Sequence, residues 1–390
     1  MKVALYTGEL PPPVFIDRLI HGLAREGMDL VLFGALHGKV RYAYPNVEVV
    51  GYRGKWHKMV QLLKYTVLLV LFQPKAKKKL DALLAQNGRT SALHRLKYYP
   101  VLYHQPTVFH LQWAKAIDEW LWVQEFGMQL VVSARGTHVT ISPKVHPNYA
   151  ESYTRNFPEV SAFHTVSKAL AKEVARYGVA PAVIHTVYSG LNLSDFPFQN
   201  KTKTTEVLRI LSIGRPHWVK GYSYAIDAMQ LLKEDGFAFS YTIIVMEASE
   251  ELIFLRSQSG LESSVHFQPS KSSAPVLEAI QQADVLLLPS VEEGIANVVL
   301  EAMALGTLVV STDCGGMTEV ITDRHNGFLV PVRNPESMAA ALQRVANLSN
   351  SDYQRLTLAA RQTIEERFTE ARMVTSMQQL YQTITPTVCE

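Results

Sequence analysis

The chain has 390 residues, 47% hydrophobic and 19% charged, with 2 cysteines and a formal charge of +3. At roughly 100 to 200 residues per domain, this length calls for two domains, each able to bury a core without disulfide or metal staples. The near-neutral balance argues against a general nucleic-acid binder. Cys314 and Cys389 lack the spacing of a disulfide framework or a zinc site, which suits a reducing compartment.

Residues 1–13 (MKVALYTGELPPP) lack the apolar stretch of a signal peptide, so a cytoplasmic location is expected. They read as a strand at 3–7 followed by a loop. A helix at 15–25 has Asp17 in its first turn, and strands follow at 30–33 and 47–50. Residues 53–97 then carry eleven Lys and Arg against a single acid, Asp81, and include the most apolar run of the chain, 59–72 (MVQLLKYTVLLVLF). That run is interrupted by Lys64 and is shorter than the roughly 20 residues a membrane-crossing helix needs. The segment 55–97 is expected to lie on an anionic membrane surface, making the protein peripheral on the inner face of the plasma membrane. The competing reading is a buried core helix beside a solvated charged one.

Strands at 108–112, 130–133, 163–166 and 183–187 complete a first alternation of strands and helices. After Asp195 the stretch PFQNKTKTTEV is polar and reads as a connection, with 192–207 as the expected hinge. A second alternation has strands at 208–213, 241–245, 285–288, 308–311 and 328–332 and helices at 222–233, 275–282 and 297–305. The fold class expected is α/β, with two Rossmann-like doubly wound domains facing across a cleft. Their bounds are 1–190 and 207–365, joined by a linker at 191–206, with a C-terminal helix at 366–390 packing back on the first domain.

Four features carry chemistry. The loop Gly214-Arg215-Pro216-His217-Trp218-Val219-Lys220-Gly221 follows strand 208–213, and its two cations can converge on one diphosphate. Glu292-Glu293-Gly294-Ile295-Ala296-Asn297 precedes an apolar helix whose unpaired amides form a seat for phosphate, with Gly294 allowing close approach. Glu293 and Glu301 stand eight apart and can accept hydrogen bonds from hydroxyls, so a polyol on either side of a diphosphate fits them. The turn Thr312-Asp313-Cys314-Gly315-Gly316-Met317-Thr318-Glu319 either shapes a nucleotide pocket or simply connects strand to helix.

The segment SVEEGIANVVLEAMALGTLVVSTDCGGMTEVI, with GRPHWVKG before it and NGFLVP after it, resembles the donor-binding domain of retaining glycosyltransferases of family four, which have the GT-B fold. The resemblance is strongest to the bacterial exopolysaccharide and lipopolysaccharide type. It implies that Arg215 and Lys220 hold the donor diphosphate, Glu293 contacts the donor sugar and Glu301 the ribose, and that backbone around Ile295, Ala296, Asn297 and Val298 contacts sugar and phosphate. In the looser resemblance of the first half, Gly8 stands where a glycine-rich loop touches donor phosphate, though three prolines follow it closely. His110, Arg135 and His138 are the acceptor-side candidates.

The activity implied is transfer of a sugar, with retained configuration, from a UDP- or GDP-sugar to a glycan or lipid-linked acceptor in cell-surface polysaccharide synthesis. No cofactor is expected. The chain has no Asp-x-Asp pair, so metal independence is expected, with the two cations neutralising the leaving group. Two other classes share these features: a nucleotide-sugar epimerase of the same fold, and a non-catalytic scaffold in a polysaccharide assembly complex.

Overall fold

A computed structural model describes residues 1–203, 206–269 and 273–385; Cys389 lies outside them. The chain forms two compact units. The first comprises Met1–Val166, Leu170–Val187 and the chain from Met373 onward; the second comprises Ser167–Ala169 and Tyr188–Arg372.

The first unit is built on strands β1 (Lys2–Leu10), β2 (Asp29–Leu36), β3 (Val47–Tyr52), β4 (Val108–Leu111), β5 (Gln129–Ala134), β6 (Ala162–Thr165) and β7 (Ile184–Thr186). They lie parallel in the order β3-β2-β1-β4-β5-β6-β7. The second unit has β8 (Leu208–Ile213), β9 (Phe239–Val245), β10 (Val265–Pro269), β11 (Val285–Leu288), β12 (Leu308–Thr312) and β13 (Phe328–Val330), parallel in the order β10-β9-β8-β11-β12-β13. Both sheets are wound the same way, with the strand order reversing between β1 and β4 and between β8 and β11. The central strands are buried on both faces, as near-continuous apolar runs such as VALY and VLLL require. Ligands of such sheets gather beyond the carboxyl ends of the strands at the reversal.

Gly8 is not in a loop. β1 continues through Leu10 opposite Gly34, Ala35 and Leu36, and a register shift between Tyr6 and Gly8 accommodates one extra residue. Gly8 takes up the distortion with φ +80°, a backbone angle glycine adopts at little cost. The edge strand β10 and the helix Glu250–Gln258 escape a reading by apolar runs, because each buries little. Ser249 is the legible signal for that helix: its side chain caps the Leu252 amide, with Glu250 and Glu251 following.

The basic segment departs from the core-helix alternative. Helix Lys55–Phe72 buries Tyr65 and Leu69, while Trp56, Leu63, Leu71 and Phe72 stand between 65% and 78% exposed. Asp81, in the next helix, Pro74–Gln86, is held by Lys77 at 2.6 Å and by the Tyr99 hydroxyl at 2.6 Å. The stretch after Asp195 is also more fixed than its composition suggests. Lys201 donates to the carbonyls of Gln281 and Ala283 and to Thr307 Oγ1 at 2.7 to 2.8 Å, tying it to the second unit. Burial pulls the Lys201 ammonium down to about 8.

The helix Glu370–Ile384 returns to the first unit, where Met373, Val374, Met377, Leu380 and Tyr381 pack with Val3, Leu5, Ile16 and Leu19. Tyr381 also begins a buried hydrogen-bond chain. Its hydroxyl lies 2.7 Å from His110 Nδ1, His110 Nε2 is 2.8 Å from Ser133 Oγ, Ser133 Oγ is 2.8 Å from His164 Nδ1, and His164 Nε2 is 3.0 Å from the Val187 carbonyl. Because that carbonyl can only accept, every donor along the chain is determined: His164 and His110 both carry their proton on Nε2, and Ser133 and Tyr381 donate to the two Nδ1 atoms.

Burial and the positive charge of Arg135 hold both imidazoles neutral, with His164 lowered to about 3 and His110 also well below its ordinary value. In the unfolded chain the same rings take up protons near pH 6.5. Stability is therefore full above pH 6.5 and falls as the pH drops toward 3, by up to about 1.4 kcal/mol per pH unit for each ring. Urea unfolding followed between pH 7.5 and pH 5 by circular dichroism is expected to show this decline, with a shallower slope in His164→Gln; an identical slope in the variant would remove the ring as its source.

Candidate functional site

In the second unit three loops meet at the carboxyl ends of β8, β11 and β12. The loop after β8 ends in a single 3-10 turn, Trp218–Lys220, closed by Gly221 at φ +65°. A side chain on Gly221 would lie 2.0 Å from the Pro289 carbonyl, so only glycine lets this loop rest against the one after β11. The Val291 amide then donates to the Val219 carbonyl at 2.7 Å. The loop after β12 closes on the same place: a Cβ on Gly315 would sit 1.8 Å from the Glu293 carbonyl, and one on Gly316 2.0 Å from the Gly294 carbonyl. The turn 312–319 is thus part of the site wall and not a plain connection.

This packing sets Lys220 Nζ 2.5 Å from Glu293 Oε1, and the same oxygen accepts from Ser290 Oγ at 2.9 Å. Both side chains of the pair are four-fifths buried or more, which strengthens their attraction relative to a surface pair. Ser290 is itself fixed, its carbonyl receiving the Thr312 hydroxyl at 2.6 Å. Directly after the pair, Gly294, Ile295 and Ala296 are buried and lead into helix Asn297–Leu305, whose first turn no side chain caps. Its free amides are a partial positive end that follows Glu293 closely in the chain. Asn297 Oδ1 and the Tyr222 hydroxyl are buried there without a hydrogen-bond partner among the described residues, which is the condition of groups awaiting a ligand or water.

Of the residues expected in the donor site, Lys220, Glu293, Gly294, Ile295, Ala296 and Asn297 are brought together. Val298 lies in the first turn of the helix and Glu301 one turn further, half-buried. Arg215 stands exposed on the loop and makes no ion pair among the described residues. Cys314 is buried beside the pair; burial pushes its thiol up to about 12, with the Glu293 and Glu292 charges adding to the effect, so it is an unreactive wall. A hollow of about 420 Å³ walled by His217, Trp218, Tyr222, Ser249 and Glu251 adjoins the loop. Its far wall depends on the Ser249 helix start, which apolar periodicity alone did not reveal.

In the first unit, the ends of β1, β4 and β5 carry a second cluster. Arg135 Nη2 donates to Gln112 Oε1 at 2.9 Å, and its guanidinium lies 4.9 Å from the centre of the Phe15 ring. His138 stacks on Trp113 at 5.2 Å, and Trp113 Nε1 donates to the Thr7 carbonyl at 2.9 Å. Arg135 and His138 therefore line the same strand-end region. His110 does not belong with them: it is wholly buried and both ring nitrogens are spent on Tyr381 and Ser133, so its role is structural. A shallow crevice among Tyr6, Phe33, Tyr52, Gln61 and Lys97 lies beside β1, β2 and β3. Among the described residues no group of three or more His, Cys, Asp or Glu is arranged to hold a metal ion.

Residues 208–347 match the family model of "Glycosyl transferases group 1". The matched segment lies wholly within the second unit. The chain is 29% identical over 229 residues to the amylovoran biosynthesis glycosyltransferase AmsK of Erwinia amylovora, covering 57% of this chain and 56% of that protein. It is 28% identical over 250 residues to WcaL of Salmonella typhimurium, a glycosyltransferase assigned to colanic acid biosynthesis, covering 62% of each. The chain thus spans less than two thirds of the length of these relatives. Over nearly its whole length it is similar in structure to Anabaena HepE, solved in complex with UDP, at a TM-score of 0.70 and 15% identity, covering 98% of this chain and 99% of that one. The fold is that of GT-B glycosyltransferases. The matched segment begins with β8 and contains the Lys220–Glu293 pair.

The close approach of the loops makes a direct prediction. Gly315→Ala, which places a methyl group against the Glu293 carbonyl at a positive φ, is expected to cost about 1–3 kcal/mol. Chemical denaturation measures this, and a variant as stable as the parent would show that the turn 312–319 does not brace Glu293.

Proposed function

We propose that the protein is a retaining glycosyltransferase that moves a sugar from a nucleoside-diphosphate sugar to a glycan or lipid-linked acceptor in cell-surface polysaccharide synthesis. The observation that carries this reading is the Lys220–Glu293 pair at an uncapped helix start, held in place by three glycine contacts. The names of AmsK and WcaL, both glycosyltransferases of exopolysaccharide biosynthesis, support the pathway class.

On this reading the pair works by exchange. In the empty site Glu293 neutralises Lys220 and keeps its side chain extended toward the helix start. An arriving diphosphate offers Lys220 a doubly charged partner and the helix amides an anion, so the ammonium moves from carboxylate to phosphate. Glu293, still held by Ser290, is then free to accept a hydrogen bond from a hydroxyl of the donor sugar. Arg215, exposed on the same loop, closes on the outer phosphate oxygens. As the glycosidic bond to phosphate breaks, positive charge grows at the anomeric carbon and negative charge on the diphosphate. On this reading Lys220, the helix amides and, once closed, Arg215 stabilise the second of these, and electrostatic stabilisation of this kind is usually the largest single contribution to rate. Glu301, on the same helix, takes the ribose. Arg135 and His138, at strand ends of the first unit, are the residues assigned to acceptor binding on this reading.

The absence of an Asp-x-Asp pair supports neutralisation by these cations without a metal, and chelator treatment is expected to leave turnover unchanged. Lys220→Ala combined with Arg215→Ala should weaken binding of free nucleoside diphosphate at least about tenfold in calorimetry, since charge-assisted hydrogen bonds each contribute roughly 1.5–3 kcal/mol. Glu293→Ala should lower kcat by about a hundredfold or more in protein that circular dichroism shows to be folded at the assay temperature, with the unfolding midpoint lowered by loss of the Lys220 partner. Screening UDP- and GDP-sugars for diphosphate release with and without lipid-linked acceptor tests the reaction. Release that never depends on acceptor, or a changed donor sugar with no acceptor present, would replace transfer by hydrolysis or epimerisation.

A further inference from the structure

Helix Lys55–Phe72 is apolar on nearly every side, yet it is not enclosed. Its inner side packs Tyr65 and Leu69 into the first unit, against helix Ala92–His104. Its outer side exposes Trp56, Met59, Val60, Leu63, Val67, Val70 and Leu71, each between 46% and 78% accessible. These seven fall at i, i+3, i+4, i+7, i+11, i+14 and i+15, so they share a single stripe of about 120° along the whole helix. Phe72, 69% exposed, ends it. Soluble proteins seldom leave an apolar patch larger than roughly 300–600 Å² uncovered, and seven large side chains in one row, with Phe72 at the helix end, reach that scale. A helix that is apolar all round is ordinarily buried in protein or in lipid.

Charge around the stripe identifies what covers it. Lys55 and Lys58 stand in the first turn of the helix, Lys64 flanks the stripe, and Lys75 and Lys78 follow the helix directly; all five are exposed and none has a carboxylate partner among the described residues. Lys58 and Lys64 instead lie over the rings of Tyr52 and Tyr65. No acid occurs between residues 53 and 80. A second copy of the chain is a poor occupant, because a twofold contact would set this unpaired lysine cluster against itself. The helix cannot cross a bilayer: among the described residues none is long and apolar enough. With one face fixed to the protein, it can enter a membrane only side-on.

We propose that the outer face of helix Lys55–Phe72 docks the first unit onto an anionic bilayer surface, the apolar stripe sinking to the level of the acyl boundary while Lys55, Lys58, Lys64, Lys75 and Lys78 engage lipid phosphates. This face shares no residue with the donor site, so its test is independent of sugar transfer.

The test is sedimentation of the full chain with phosphatidylcholine vesicles, with and without phosphatidylglycerol, across a range of salt. Binding is expected only with the anionic lipid and should weaken as salt rises. Leu63→Glu with Leu71→Glu, at exposed positions that leave the inner side untouched, should reduce partitioning at least about tenfold. Lys75→Glu with Lys78→Glu should reduce it by roughly fivefold or more for each lysine replaced. Circular dichroism of each variant establishes that it is folded. Absence of binding at low salt, or stripe variants that bind as the parent does, overturns the proposal. So does a concentration-dependent dimer in sedimentation velocity that the stripe variants abolish without any lipid binding, because the occupant is then a second copy.

Discussion

The chemistry of the second unit rests on a lysine and a carboxylate held at the amino end of a helix that nothing else caps. Lys220 and Glu293 come from loops separated by 73 residues in sequence, yet their charged atoms are 2.5 Å apart. They meet because three glycines, at 221, 315 and 316, let the backbones of three loops touch where any side chain would collide with a carbonyl. The result is a mostly buried Lys220 ammonium whose counter-ion, Glu293, is supplied by the neighbouring loop. Such an arrangement keeps a partly buried ammonium from standing alone, which would be costly, and under the proposed mechanism it would couple the seating of an anion to the release of an acid.

Much of this organisation was legible in the residues. The strands 208–213 and 285–288 and the helix 297–305 appear in the structure at the same bounds, because an unbroken apolar run and a three-to-four-residue spacing report burial directly. What escaped were elements that bury little, such as β10 and helix Glu250–Gln258, and contacts that only tertiary structure supplies. His110 is the clearest instance. Placed at the end of a central strand, it has the local character of a reactive histidine, but its partner Tyr381 lies 271 residues further on, and nothing nearby in sequence announces it. Gly8 misled for a related reason. Glycine before prolines suggests a loop, whereas the neighbouring strand here is long enough to pair beyond it, and the glycine absorbs a bulge.

The apolar run at 59–72 shows where composition leaves two outcomes open. Hydrophobicity alone cannot distinguish a helix enclosed by its own fold from one that leaves a face uncovered, since both are equally apolar. Only exposure separates them, and it does so by sorting the residues of one helix into an inner pair, Tyr65 and Leu69, and an outer stripe. The low amphipathic contrast that results is the reason the segment reads as a core element by pattern and as an interfacial one by charge.

The return of the C-terminal helix has a consequence for how the chain is made. The first unit takes its sheet from residues near the start of the chain but closes its core with Met373, Val374, Met377, Leu380 and Tyr381. A ribosome delivering roughly 5–20 residues per second therefore exposes the first sheet for some ten to forty seconds before the helix that seals it can emerge. During that interval the cluster of Val3, Leu5 and Ile16 lacks the cover that Met373, Met377 and Tyr381 supply. Expression of the amino-terminal half as a separate fragment would make that waiting state permanent.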